Sequence, residues 1–435
     1  MGITSTDARS HHGDRFDHDG PPMNVSDQHT DSGSDAKAPG RTGLLLSICA
    51  CHLLHDGLAD VLYVLLPVWQ IDFETSRSQL GLLITFYFIA LAALQVPTGI
   101  LAERTGERCL LIGGTIVAGL GFMFMGLPGG PPVLAVMLVV AGLGSSVQHP
   151  LGSTLVARAY GPDGRRIAIG TYNFAGDLGK MLFPVLGGLA LASVGWETVT
   201  TGFGILAIVS SVVFLVVLRR LNIGGVPETS DEETAPDDER PRGIHDRRRF
   251  IVLSIIAVFD TVTRYGLLTL LPFLLIEQGH SPSAVGLALG LLFGGGAAGK
   301  FLCGVGAQRL GVLPTVWITE IVTGGGILAL LVIPDQLTLV LLPIIGAALN
   351  GTSSVLYGSV ADYVAPEHQS RAFGIFYTVV IASGAASPVA CGVLSDLVSL
   401  DVALVSVALI ALLAIPMSLQ LKPATTVLKT PPDPE

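Results

Sequence analysis

Twelve times between Thr42 and Leu421 the chain runs for roughly twenty residues with few charges, the length a helix rising about 1.5 Å per residue needs to cross some 30 Å of hydrocarbon. The runs fall at 42–71, 78–101, 107–127, 132–157, 166–194, 197–218, 250–276, 282–306, 312–333, 337–361, 371–395 and 400–421. Lipid offers a bare backbone no hydrogen-bond partner, so such runs must close their bonds within helices. Only 13% of residues are charged, about half the share of a soluble protein, and the mean hydropathy is +0.65. The expected fold is an all-α polytopic membrane protein with twelve transmembrane helices.

Cytoplasmic loops collect Lys and Arg. With the N-terminus inside, the outer loops hold Arg77 alone. Lys180, Arg264 and Lys300 lie within spans, and every other Lys and Arg falls on the inner side. That split predicts a multi-pass protein of the cell inner (plasma) membrane with both termini cytoplasmic. Much of the net charge of -10 sits in the tail before Arg41 and in the segment 221–249, where Asp and Glu reflect disorder at least as readily as a binding surface. Nothing calls for nucleic acid as a partner. The first forty residues lack an apolar core, so they are no cleavable signal peptide. Their His11, His12, His18 and His29 could buffer a metal ion or form a solvated tail, having no fixed spacing. Cys49, Cys51, Cys109, Cys303 and Cys391 show neither disulfide-scaffold nor zinc spacing. Gly294 to Gly296 and Gly324 to Gly326 are followed by no Lys-Ser/Thr, so they read as helix-packing surfaces rather than phosphate loops. No cofactor is expected.

The two halves of the chain repeat. A shift of 205 lays Ser76, Ser78, Gly81, Gly99, Ala102, Arg104 and Gly106 on Ser281, Ser283, Gly286, Gly304, Ala307, Arg309 and Gly311. Close to that shift Gly152 meets Gly358, Arg166 meets Arg371 and Pro184 meets Pro388. Parallel repeats about an axis normal to the membrane put a substrate path between the halves. The expected organisation is a disordered cytoplasmic tail (1–41), an N-terminal six-helix bundle (42–220), a cytoplasmic linker (221–249), a C-terminal six-helix bundle (250–421) and a tail (422–435), in a monomer.

A charge at bilayer mid-depth costs roughly 2.5–3.5 kcal/mol on insertion scales, so such residues face a partner or a wet cavity. The first span carries His52, His55, Asp56 and Asp60. At about 100° per residue His52, Asp56 and Asp60 share an arc of roughly 80°, one polar stripe on an apolar rod. In the fifth span Asp177 and Lys180 are three apart, and in the seventh Asp260 and Arg264 are four apart, so each pair could neutralise itself on one helical face. Asp56, Asp60 and Lys300 lack a local partner and must find one across helices or titrate; Lys300 aligns with Gln95 across the repeat. His149 precedes Pro150, which frees a backbone carbonyl, and is either at a pocket-facing kink or hydrogen-bonded between helices. Glu320 in the ninth span is placed near the inner interface and left out of the site.

The loop after the second span reads GILAERTGER from Gly99 to Arg108, and its repeat reads GVGAQRLG from Gly304 to Gly311. Gly99 and Gly106 allow close helix approach and a tight turn. Glu103, Arg104 and Arg108, with Arg309 in the repeat, are placed to pair with helix ends in one conformation and release in another. The arginines also serve as positive-inside anchors.

This loop resembles the signature loop of the major facilitator superfamily, departing from it at Glu103, where Asp is usual, and at Gln308 in the second copy. CHLLHD in the first span and AGLGSSVQHPLGSTLVARA from Ala141 to Ala159 resemble the fosmidomycin-resistance branch, on His52, Asp56, Gly144, Ser145, Ser146, His149 and Pro150. The resemblance implies the two-bundle fold and a proton-driven exporter of small, often anionic or amphiphilic compounds. It covers mainly the N-terminal half. Where that branch has a neutral GN-x-G run, this chain has Gly176, Asp177, Leu178, Gly179 and Lys180, so the substrate does not carry over.

The sequence therefore predicts a secondary active transporter, an antiporter for proton-coupled efflux of a small organic, anionic or drug-like solute of the kind seen in drug resistance. It is no enzyme: no Ser/His dyad motif or HExxH run is present. Asp56 or Asp60 carries the proton, in competition with substrate or with a cation that swings near. Lys180, Arg264 and Lys300 attract an anionic group, His52, His149 and Asn350 add hydrogen bonds, and Asp177 and Asp260 complete the set. Two alternatives stay open, a divalent metal exporter using His and Asp of the first and fourth spans, and a membrane sensor that binds ligand without moving it.

Overall fold

Each apolar run closes its backbone bonds as helix in the computed structural model, which describes residues 39–160, 162–225, 246–364 and 369–421. The His-bearing N-terminal tail to residue 38, most of the linker and the C-terminal tail lie outside the described residues. In order, the helices are α1 (Pro39–Phe73), α2 (Arg77–Ala93), α3 (Gln95–Thr105), α4 (Glu107–Met123), α5 (Gly130–Ser145), α6 (Gln148–Ala159), α7 (Pro162–Leu191), α8 (Trp196–Arg220), α9 (Arg247–Glu277), α10 (Pro282–Leu310), α11 (Val312–Leu330), α12 (Asp335–Ser359), α13 (Gln369–Leu397) and α14 (Leu400–Ser418).

Twelve predicted spans become fourteen helices because two of them break. Pro97 cannot donate to the carbonyl of Ala93, and the second span turns at Leu94 between α2 and α3. Pro150 cannot donate to Ser146, and the fourth span breaks between α5 and α6 beside His149. Among the described residues, eleven spans are long and apolar enough to cross a membrane. The remaining predicted span, α4, has 17 residues, about 25 Å of helix.

Two bundles, α1–α8 and α9–α14, meet along α2 against α13 and α7 against α10. These seams repeat each other. A Cβ on Gly81 of α2 would strike the carbonyl of Pro388 in α13, and one on Gly286 of α10 would strike the carbonyl of Pro184 in α7. Because Gly81 aligns with Gly286 and Pro184 with Pro388, the same two positions make both seams, each half lending its glycine to the other half's proline. The helix starts repeat as well: Ser76 and Ser281 cap α2 and α10 by accepting from the backbone of Gln79 and Ala284. Gly106 and Gly311 turn the chain at φ 78° and 92°, values costly for any residue with a Cβ. The glycine triplets pack helices as their sequence suggests, Gly295 against Pro343 of α12 and Gly324 against Leu412 of α14.

At the end where α1 hands over to α2, the bundles are fastened together. Asp396 of α13 accepts from the backbone amides of Arg77 (3.1 Å) and Ser78 (2.8 Å). The Arg77 guanidinium donates to Ser395 Oγ at 3.1 Å, pairs with Glu277 and lies 5.5 Å from the Phe273 ring centroid.

Candidate functional site

The polar stripe of α1 stands against α7, which carries Tyr172, Asp177 and Lys180. Asp56 is at its centre. Oδ2 of Asp56 lies 3.2 Å from His52 Nε2 and 3.3 Å from Lys180 Nζ, and Oδ1 lies 3.6 Å from His149 Nε2. His52 is held by α7 as well. Its Nδ1 is 2.8 Å from the Tyr172 carbonyl, and its ring stacks on the Tyr172 ring at 4.0 Å. A carbonyl only accepts, so Nδ1 carries the hydrogen and Nε2 is left facing the carboxylate. His55, further round the helix, bonds Thr115 Oγ1 of α4 at 2.9 Å. Asp60, one turn beyond Asp56, makes no hydrogen bond or ion pair among the described residues and is 8% exposed.

A cavity of about 660 Å³ opens in front of this stripe, walled by both bundles. Asp56, Asp60, His149 and Lys180 reach it from the N-terminal bundle, and Arg264 and Asn350 reach it from the C-terminal one. Gln95 also lines it. The side chains that line it from α2, α6, α7, α12 and α13 lie on stretches away from the Arg77 fastening, and those from α1, α9 and α10 lie near the middle of their helices. On the side of the cavity toward that fastening, Thr85 Oγ1 donates to the Ala385 carbonyl at 2.8 Å, and Phe88 and Tyr265 of the wall meet edge-on at 5.1 Å.

Other expected residues stand behind the wall. Asp260 holds Arg264 from behind at 3.2 Å, the local pair that the spacing suggested, and accepts from Ser353 Oγ at 2.7 Å. Asp177 and Lys180 do not pair with each other. Three residues on a helix leave side chains about 60° apart, enough for Lys180 to turn to Asp56 on α1 while Asp177 turns to Lys300 of α10. Lys300 Nζ lies 2.6 and 2.7 Å from the two oxygens of Asp177. Lys300 thus ties the bundles together and is not on the cavity wall, unlike its repeat partner Gln95.

In the first turn of α4, Arg108 holds the start of the linker, its amide donating to the Gly224 carbonyl at 2.9 Å and its guanidinium to that of Ile223 at 3.2 Å. The acid that pairs here is Glu107, buried against Arg158 of α6. Glu103 and Arg104, expected to pair with helix ends in one conformation and release in another, are exposed here, as is Arg309.

Glu320 is the clear miss. It was placed near an interface, yet it is 1% exposed and sits midway along α11. Its position about 12 Å into the helix was readable from spacing alone. The aromatic part of the wall was missed as well. Phe88, Tyr172, Tyr265, Tyr357 and Tyr377 line the cavity, but aromatic residues in apolar spans face lipid as readily as water, so the sequence carries no signal for them.

Taken alone, His52, Asp56 and His149 offer three ligand atoms within 4.8 Å of one another. The Lys180 ammonium, 3.3 Å from Asp56, already pairs with the one carboxylate of this group and repels a divalent cation. The arrangement suits binding of protons and exchange of ion-pair partners better than metal binding.

The family model described as Major Facilitator Superfamily matches residues 48–259 and 253–435. Among characterised relatives, an MFS-type efflux pump of Mycolicibacterium smegmatis is 25% identical over 397 residues, 86% of this chain and 89% of that protein. A 3-(3-hydroxy-phenyl)propionate transporter of Escherichia coli is 25% identical, covering 74% of this chain and 75% of its own length. The fosmidomycin resistance protein of Escherichia coli is 27% identical over 188 residues, 43% of this chain and 45% of that protein. In fold, the chain is similar to a bacterial homolog of the human lysosomal transporter Spinster in an inward-facing, unoccupied conformation. The TM-score is 0.70 at 17% identity, over 87% of this chain and 96% of that one.

Proposed function

Starting from the fact that this chain belongs to the Major Facilitator Superfamily, a family of transporters and not of enzymes, we propose that it exports a small organic solute in exchange for protons. The carrying observation is Asp56, fixed between His52, His149 and Lys180 on the wall of a cavity that Arg264 enters from the other bundle. A proton and an ion-pair partner compete for that one carboxylate, which is what coupling requires. Asp60, unpaired one turn away, is the second acceptor. The similarity to efflux proteins supports the outward direction.

The charge pattern supports an inner-membrane orientation in which the Arg77 fastening faces outward and the cavity faces the cytoplasm. Closure at one end and access at the other, with glycine–proline seams that let the bundles rock, is the geometry of alternating access. The wall suits a solute with an aromatic or apolar body and a charged group, since tyrosines lie beside Lys180 and Arg264. Two organic anions, fosmidomycin and 3-(3-hydroxyphenyl)propionate, are the first probes.

Purified protein in liposomes carrying a pH-sensitive dye tests this. Accumulation of either probe is expected to follow an imposed pH gradient and to move protons the opposite way. Accumulation that ignores collapse of the gradient would overturn the coupling.

A further inference from the structure

Behind the wall of the C-terminal bundle lies an acid pair that the coupling scheme leaves unused. Glu320 is 1% exposed, and its Oε1 has no hydrogen-bond partner. Asp260 is 2% exposed. Its Oδ2 takes both Arg264 and Ser353, while its Oδ1 has no partner. Neighbouring residues of α12 link the two acids. Ser353 bonds Asp260, and Thr352 stands beside Glu320 and bonds Thr319 of α11 at 2.7 Å.

Among the described residues, Arg264 is the one cation facing both acids. Lys300 of α10 is turned to Asp177, and the sole ionisable side chain of α14 is Asp401 in its first turn. One guanidinium cannot neutralise two carboxylates, and a buried charge with no partner costs several kcal/mol. Arg264 also lines the cavity, which Asp260 and Glu320 do not.

We propose that Asp260 and Glu320 form a second proton site in the C-terminal bundle. One proton resides on Glu320 while Arg264 pairs with Asp260. When an anionic group in the cavity draws the guanidinium away, Asp260 takes a second proton from the cavity. The guanidinium exchanges one anion for another and the vacated carboxylate becomes an acid, so the charge of the pair stays balanced. This rests on the transporter reading only for what draws Arg264 away; the resident proton can be read in the protein at rest.

Infrared spectroscopy of the purified full chain near neutral pH provides the test. A carboxylic-acid carbonyl stretch is expected in the unaltered protein, with a component that shifts on isotope labelling of glutamate, persists in Asp60→Asn and vanishes in Glu320→Gln. Glu320→Asp should restore it. Arg264→Gln mimics the withdrawn cation and should add a component about as large as the glutamate one, which shifts with labelled aspartate. A stretch that is absent from the unaltered protein, ignores glutamate labelling or survives undiminished in Glu320→Gln overturns the resident proton. An unchanged stretch in Arg264→Gln overturns the second one. The labelling arm needs no variant, so it stands even if a substitution unfolds the protein, and none of the readings depends on transport.

Discussion

Lys180 Nζ lies 3.3 Å from Asp56 Oδ2, while Asp177, three residues earlier on the same helix, faces Lys300 of the opposite bundle at 2.6 Å. One helix, α7, therefore holds the proposed proton site on one side and a bond between the bundles on the other. A change in the protonation of Asp56 frees or binds a side chain on the very helix that forms the seam with α10. That connection gives the first two predictions.

Asp56→Asn should abolish proton-driven transport while leaving the protein folded but less stable. Its loss strands the Lys180 ammonium, and an unsatisfied buried group costs about 1–3 kcal/mol. Lys180→Met takes the ammonium from the carboxylate and leaves it only His52 and His149. Pairing both substitutions should be less destabilising than the sum of the two, since neither charge is then left alone. Thermal unfolding of the four proteins in detergent checks this; strict additivity would mean that the two groups do not interact. Asp60→Asn, which breaks no pair, should keep stability and lose proton coupling.

Lys300→Met should act on the movement between conformations rather than on coupling. The bridge to Asp177 joins the bundles away from the proposed proton site, so the pH dependence of transport should hold while its maximal rate changes. The exchange Asp177→Lys with Lys300→Asp should recover much of the original rate. Rates measured across a pH series separate the two effects, and a shifted pH profile in Lys300→Met would move the bridge into the coupling machinery.

The reach of sequence reasoning followed from how much each physical rule constrains. An ionisable group in an apolar span has few tolerable surroundings, and that rule singled out Asp56, Asp60, His149, Lys180 and Arg264, which line one cavity from both bundles. Which cation meets which acid was not legible. Asp177 and Lys180 are close enough on α7 to pair, and only the positions of α1 and α10 on either side of it separate them. The signature loop did not single out Glu107, which has the buried place beside Arg158. The repeat alignment also reached backbone at Gly81, Gly286, Pro184 and Pro388, which form the two seams, but not at Gly99 and Gly304, where a Cβ would meet open space.

Asp396→Ala should loosen the fastened end. Its carboxylate caps the start of α2 through the amides of Arg77 and Ser78, contacts worth about 0.5–2 kcal/mol at a helix N-terminus. No matching acid exists at the other seam, where repeat alignment puts Ala192. The substitution should therefore open this end alone. In a background with the native cysteines replaced, Ala385→Cys on the cavity wall should react faster with an impermeant thiol reagent applied from outside when Asp396→Ala is added. Equal reactivity would show that the fastening does not hold the outer end shut.

Gly176→Ala tests how closely α7 must approach α1. A Cβ at Gly176 would lie 2.6 Å from His52 Nε2 and 2.7 Å from Asp56 Oδ2, nearer than any methyl group can sit. The neighbours that must yield are the two side chains of the proposed proton site, so the helix can stay in place only if the His52 and Asp56 contact is broken. Gly170 on the same helix has open space where its Cβ would go, and Ala is the better helix former by about 1 kcal/mol. Gly170→Ala should thus be neutral or slightly stabilising, while Gly176→Ala should lose transport by roughly tenfold or more, the scale of about 1.4 kcal/mol at the site. Proton-driven uptake by the two variants at matched expression makes the comparison. Full activity in Gly176→Ala would mean that the close packing of His52 and Asp56 beneath Lys180 is not needed for transport.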